Sequence, residues 1–350
     1  MEDALERVLA RIGGIGTVER LAGLSGSDFT SVMLEVARRR AARETPASVL
    51  RRYERDRFVR PGHSSVRAVR RAEDALLGCL PDDVEVVLLA PLVPLGAHSA
   101  LGPVSQHKVV TTIRACEVAA DPTNALALEA AARRVRSKET MVRLAAAQRV
   151  VRAQRFPAGF YPHFEVFGLV TAGRDTGSLR FERSALAEHL RFAIRGLTAA
   201  GAPRVQIELT PLSDRGEQIM TAVTEDLAHD PGDGRVEMVA DRDREAGRGY
   251  YRDLCFKVNA YNDGERTEIG DGGFTDWTAR LTANQKERLL ISGLGTERLA
   301  ALRAPAGTGR GSPDRDLMSL PLIFLLDQLA DLHEGVGASG GRQRGKRLGR

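Results

Sequence analysis

The amino-acid sequence predicts an α+β fold: a largely antiparallel sheet flanked by helices, with a helical appendage at the N-terminus. Two observations carry this. Helical patterns come first and are followed by several strand patterns with few helices between them, the order of an antiparallel sheet and not of a doubly wound one. Two of the strand patterns alternate, Val205/Ile207/Leu209 and Leu254/Phe256/Val258, as half-buried strands do. No internal repeat of 20–50 residues is visible.

Residues 1–55 are the appendage. Leu21, Leu24 and Phe29 precede a run with Val32, Met33, Val36 and Ala37 on one face. Arg38, Arg39, Arg40 and Arg43 follow near its end, where cations suit the helix dipole, and Asp28 is a candidate cap. The appendage reads as a packing or dimerisation element, with a helix-turn-helix as the alternative. The core is placed at residues 56–335. Ser64 to Leu80 is helical and is stopped by Pro81; Val84 to Leu89 reads as a buried strand. Asp121-Pro122-Thr123 starts a long helix. Phe164 to Val170 is strand-like, and Ser184 begins a helix with Leu186, Leu190, Ile194 and Leu197 on one face. Glycine-rich turns are expected around Gly270 to Gly273, and Leu289 to Leu294 is a further apolar run. Ala304 to Pro313 reads as a loop, Leu320 to Leu332 as a last helix, and residues 336–350 as a disordered basic tail.

Apolar residues make up 43% of the 350-residue chain, enough to bury a core, and no run is long enough to span a membrane. Three widely spaced cysteines, Cys79, Cys116 and Cys255, argue against a disulfide framework or a zinc site and fit a reducing cytoplasm. The net charge of +5 belongs to the tail: without Arg342, Arg344, Lys346, Arg347 and Arg350, 46 basic residues face 46 acidic ones. Such a tail reads as a solvated end, with weak RNA affinity as the lesser alternative.

Five separated segments carry chemistry. The first runs from Arg152, Gln154 and Arg155 through Gly159 and Tyr161 to His163-Phe164 and Gly168. The second is Gly293-Leu294-Gly295-Thr296-Glu297-Arg298, the third Gly247-Arg248-Gly249-Tyr250-Tyr251, the fourth Gly272-Gly273-Phe274-Thr275-Asp276, and the fifth Ala120-Asp121-Pro122-Thr123. Together and in this order they resemble the catalytic core of class II aminoacyl-tRNA synthetases, histidyl-tRNA synthetase above all. The first is similar to motif 2, the second to the GxGxxR of motif 3, and the third to the histidine-binding signature. The resemblance covers roughly residues 60 to 302 and extends to the ATP phosphoribosyltransferase regulatory subunit, which is built the same way.

The resemblance implies ATP with Mg2+ as cofactor. Arg152 would take the α-phosphate, where negative charge builds as pyrophosphate leaves. Phe164 would stack on adenine, with Gln154, Arg155, Gly293 and Gly295 lining the nucleotide and Arg298 meeting the γ-phosphate. Arg152 and Arg298 are therefore the catalytic candidates. Thr123, Arg248, Tyr250, Tyr251, Gly272, Gly273 and Asp276 are the candidates for binding an amino acid or related acid, and no metal ligands are assigned. The sequence departs from the family pattern in places. Gln154 replaces a glutamate, Phe160 and Pro162 replace loop arginines, and Ala246 falls on a catalytic arginine that Arg248 replaces only if the turn is rebuilt. Asp121 stands where the family has an arginine, and for Asp121, Thr123 and Asp276 simple capping or turn roles stay open. Family synthetases carry a C-terminal anticodon-binding domain, whereas about fifty residues follow the matched region here, which gives little ground for tRNA as a partner. The expected protein is a homodimeric, cytoplasmic ATP-binding ligase that forms an adenylate. The alternative is a non-catalytic paralog that senses a ligand and regulates a protein partner. His98 and His107 lack a third ligand for a metal, and His163 reads as loop support.

Overall fold

In the computed structural model, residues 2–302 are described, apart from 138–139, 157–159, 229–234, 246 and 263. The expected loop at Ala304 to Pro313, the helix at Leu320 to Leu332 and the basic tail lie outside the described residues.

Four helices open the chain: α1 (Glu2–Arg11), α2 (Ile15–Ala22), α3 (Gly26–Ala41) and α4 (Pro46–Arg55). The cap of α3 is Ser25, whose side chain accepts from the Asp28 backbone N–H, so Asp28 lies in the first turn and is not the cap itself. A Thr45/Ser48 capping box starts α4, satisfying two otherwise orphaned donors. No residue of α2, α3 or α4 is buried.

The next elements are α5 (Val66–Leu77), β1 (Glu85–Val86), β2 (Leu92–Pro94), α6 (Ala97–Leu101), β3 (Cys116–Val118) and α7 (Pro122–Arg136). They lead into β4 (Met141–Val151), β5 (His163–Arg174), α8 (Arg180–Ala199), β6 (Arg204–Pro211), α9 (Asp214–Ala228) and β7 (Val236–Ala240). The described chain closes with β8 (Arg252–Asn262), β9 (Glu265–Thr275), α10 (Trp277–Leu281), β10 (Glu287–Gly295) and α11 (Thr296–Ala301).

Eight strands form one mixed sheet in the order β1-β4-β5-β10-β9-β8-β6-β7; β2 and β3 pair separately. The interior of the large sheet is antiparallel throughout, and the parallel pairs, β1 with β4 and β6 with β7, sit at its two margins. One face carries α5, α8 and α9 over a core that includes Leu76, Phe167, Leu186, Leu190, Phe192, Leu197, Ile207 and Phe256. The alternation read in β6 and β8 points Val205, Ile207, Leu209, Leu254, Phe256 and Val258 into this core. On the other face α7 and α10 cover the β4–β5 end through Leu126, Leu144, Val170, Trp277 and Leu289. Further across that face, β8 and β9 carry Lys257, Asn259, Glu268 and Asp271.

Two expectations are corrected. Val84 to Leu89 contains a two-residue edge strand, exposed at both positions, and not a buried strand; only one neighbour, β4, is there to pair with it. Gly270 to Gly273 is no turn but the middle of β9. Glycine is required there by close approach: a Cβ on Gly270 would lie 2.0 Å from the Gly293 carbonyl oxygen, and one on Gly273 2.5 Å from the Tyr251 ring.

Candidate functional site

The site lies where β4 ends and β5 begins, against the start of α7 and α11 and the polar stretch of β8 and β9. Arg152 follows β4 and is 3% exposed. Its Nε donates to the Ala120 carbonyl at 2.9 Å, and its Nη2 reaches an Asp121 carboxylate oxygen at 3.3 Å. The guanidinium carbon stands 5.1 Å from the centre of the Phe164 ring on the returning strand. Nη1 is buried with no hydrogen-bond partner among the described residues. A buried N–H left without an acceptor is costly, so this atom is suited to an anionic oxygen supplied from outside.

Asp121 explains part of this arrangement. It caps α7, accepting from the Thr123 backbone at 2.9 Å and the Thr123 hydroxyl at 2.7 Å, and Pro122 opens the helix with its fixed φ. The same carboxylate turns its other oxygen to Arg152, so capping and arginine anchoring are one feature.

Arg298, in α11, donates to the Glu268 carbonyl at 2.8 Å. Burial pulls its guanidinium down to about 10, and the Arg152 cation pushes in the same direction, against Glu268 and Asp271. The Arg152 charge is thus felt at Arg298, although the two arginines are distant in the chain. Gly293 and Gly295, at the end of β10, pair with Gly168 and Val166 of β5 and deliver the chain into α11.

Beside them is a buried polar cluster. The Tyr251 hydroxyl donates to Asp271 at 2.6 Å, and Arg244 approaches the same carboxylate at 3.8 Å. Burial pushes Asp271 up to about 6; the Arg244 cation and the Tyr251 hydrogen bond counter it. Cys255 is likewise raised by burial, to about 11, with Arg244 opposing. Lys257 lies 3.6 Å from Glu268, and neither side-chain polar atom of buried Asn259 has a hydrogen-bond partner among the described residues. Tyr250 packs edge-on to both Tyr251 and Trp277, at 5.0 and 5.5 Å.

Arg152, Phe164, Arg298, Thr123, Tyr250 and Tyr251 therefore come together, with Gly272 and Gly273 in the sheet beneath. Four candidates are placed elsewhere. Arg248 is exposed and donates to the Arg244 and Arg242 carbonyls, so the turn holds it outward and the inward cation is Arg244. Asp276 precedes α10 and pairs with Arg252 at 3.1 Å and Arg280 at 3.5 Å, partly exposed. Arg155 is exposed, and Gln154 offers its carbonyl to Arg57. Ala246 lies outside the described residues. Arg244, Lys257, Glu268 and Asp271 had no motif to announce them, except that Asp271 directly precedes the Gly-Gly pair. His163 supports the hairpin from outside, 2.6 Å from the Arg60 carbonyl. No group of three or more His, Cys, Asp or Glu suited to a metal occurs among the described residues. No described helix is long and apolar enough to cross a membrane.

No family model and no curated protein matches the sequence. Solved structures do. The apo histidyl-tRNA synthetase of S. aureus superposes with a TM-score of 0.52 at 15% identity over 67% of this chain and 64% of that one. An ATP phosphoribosyltransferase regulatory subunit/histidyl-tRNA synthetase from Bacillus halodurans gives 0.56 at 12% identity, over 70% of this chain and 83% of that one. A histidine–tRNA ligase subunit from Alicyclobacillus acidocaldarius gives 0.54 at 14% identity, over 70% and 95%. The chain thus spans just under two thirds of the S. aureus enzyme. The likeness shows the fold: a class II synthetase-like sheet flanked by helices.

Proposed function

Starting from this shared fold, we propose that the chain binds ATP and activates an amino acid or related acid as its adenylate. The observation that carries the reading is Arg152, buried on the Phe164 ring with Nη1 unpartnered among the described residues. A nucleotide whose α-phosphate accepts from Nη1 would meet the phenyl ring with its base and Arg298 with the far end of its triphosphate. As a carboxylate oxygen of the acid attacks the α-phosphorus and pyrophosphate departs, Arg152 stabilises the charge that gathers on the phosphate oxygens. Mg2+, carried by the triphosphate, would neutralise the β- and γ-phosphates, since it needs only one or two protein carboxylates. The acid belongs beside Tyr250, Tyr251 and Arg244, where Arg244 supplies the cation that the sequence resemblance assigned to another position.

Calorimetric titration with Mg-ATP and pyrophosphate exchange across a panel of amino acids test this. We expect saturable ATP binding that Arg152→Met reduces at least about tenfold, the scale of one charge-assisted hydrogen bond. No ATP binding and no exchange with any acid would remove the reading. A second reading, a ligand-sensing regulatory subunit acting on a protein partner, is favoured by Asp121. It sets a carboxylate against Arg152, 3.3 Å away, in the place where a triphosphate would compete. ATP binding without exchange, together with a protein that co-purifies stoichiometrically, would favour that alternative.

A further inference from the structure

A second buried pair stands behind Arg152. His98, in α6, is 1% exposed, and Glu117, on β3, is fully buried. Glu117 accepts from the backbone N–H groups of Gly96 and His98, both at 3.1 Å, and from the Gln106 side chain at 2.7 Å. Its Oε1 lies 2.6 Å from His98 Nδ1. Burial raises the carboxyl, but these hydrogen bonds outweigh it and hold Glu117 below its ordinary value, so it is a carboxylate.

The other ring nitrogen, His98 Nε2, is 3.0 Å from the backbone nitrogen of Ala120. A backbone N–H only donates, so Nε2 must be the bare acceptor and Nδ1 must carry the proton given to Glu117. Ala120 is the residue whose carbonyl takes Arg152 Nε at 2.9 Å, and Asp121, next in the chain, takes Nη2. A continuous path of hydrogen bonds therefore runs from Glu117 through the His98 ring and the Ala120 backbone to the guanidinium. It reaches Nε and Nη2, beside Nη1, which has no partner among the described residues.

We propose that His98 is a positioning residue for Arg152. With Glu117 fixing its tautomer, the imidazole pins Ala120, and the Ala120 carbonyl sets the direction in which Arg152 presents Nη1. The inference rests on the ATP reading above. Packing alone would make His98 a contributor to stability; positioning makes its effect on ATP pass through Arg152.

The test is ATP affinity, measured by calorimetry on the full chain. Asparagine at 98 reaches Glu117 but is too short for the Ala120 N–H, whereas glutamine carries a donor and an acceptor spaced like the two ring nitrogens. We expect His98→Asn to weaken ATP about tenfold, the loss of one well-placed hydrogen bond. His98→Gln should stay within about threefold of the wild type on the same scale. In an Arg152→Met background, His98→Asn should change affinity by less than about twofold, because coupled residues are non-additive. Unchanged affinity in His98→Asn, or an equal loss in both backgrounds, overturns the inference. Nitrogen-15 shifts of the His98 ring in the unaltered protein supply a check that needs no variant to fold: a protonated Nε2 with a bare Nδ1 would also overturn it. A wild type that fails to bind ATP is a different outcome. It removes the reading of the site itself, and this inference falls with it.

Discussion

Replacing Asp271 with asparagine isolates what it costs to keep a carboxylate in this site. Asp271 is 4% exposed, and the groups facing it are Tyr251, Arg244, Glu268 and Asp121. Its folded value is raised from 3.8 to about 6. Between those two values the folded protein holds a proton that the unfolded chain has released. Stability from this group is therefore complete below about pH 4 and is lost as the pH rises through about 6. At about 1.4 kcal/mol per unit, the displacement corresponds to about 3 kcal/mol. Asparagine does not titrate. Urea unfolding of both proteins at about pH 4 and about pH 7 gives the wild-type stability minus that of Asp271→Asn at each pH, and other titrating groups cancel in the comparison. That difference should fall by about 2.4 kcal/mol between the two conditions, because at about pH 4 the unfolded carboxyl is already half ionised, whatever constant offset the amide introduces towards Tyr251 or Arg244. A difference that is flat, or that moves in favour of the wild type at higher pH, would refute the argument. It would mean that Arg244 and Tyr251 cancel or outweigh the desolvation of the carboxylate.

Further outcomes follow from packing and capping. Gly270→Ala should cost more than about 3 kcal/mol in urea unfolding, or prevent folding, because its Cβ would strike backbone on β10. Gly196→Ala should cost about 1–2 kcal/mol, since its Cβ would lie 2.6 Å from a terminal methyl of Leu76, which is fully buried, and alanine's helix preference offsets only part of that. Asp121→Ala should lose about 1 kcal/mol of stability with the α7 cap, read as a lower thermal midpoint, and should also change ATP affinity, because the same carboxylate holds Arg152. Arg134→Met, which breaks a buried two-pronged pair with Glu287 at 2.9 Å, should cost about 3 kcal/mol by leaving that carboxylate uncompensated.

The legible parts of the fold were those where a local pattern and the final environment agree. Strands β6 and β8 alternate in sequence because one of their faces meets a continuous apolar core. Strand β4 went unread: Leu144-Ala145-Ala146-Ala147 has no alternation, since β4 is buried on both faces, and alanine favours helices when context does not decide. The glycines of β9 looked like turns because the residues that crowd them, Gly293, Phe256 and Tyr251, are brought there by pairing across strands. The same division holds in the site. Arg152, Phe164 and Arg298 sit on backbone whose geometry imposes spacing, and spacing can be read. Arg244 lies in Asp241-Arg242-Asp243-Arg244-Glu245, which in sequence is an ordinary solvated charge run; only the closing of β8 on β9 turns one of its arginines inward. His98 and Glu117 are 19 residues apart with no motif between them, and their partnership depends on β2 pairing with β3.

The two margins of the large sheet are brief, two residues in β1 and five in β7. Each is joined in parallel to a longer neighbour. A visiting strand would find at β1 almost no open row of amides and carbonyls to extend, although Leu88 nearby is fully exposed and would invite it. Stickiness without a ladder favours reversible contact over fibril-like growth. Association of two copies at that margin would have to be built from side-chain fit, and it would be open to tuning by single substitutions.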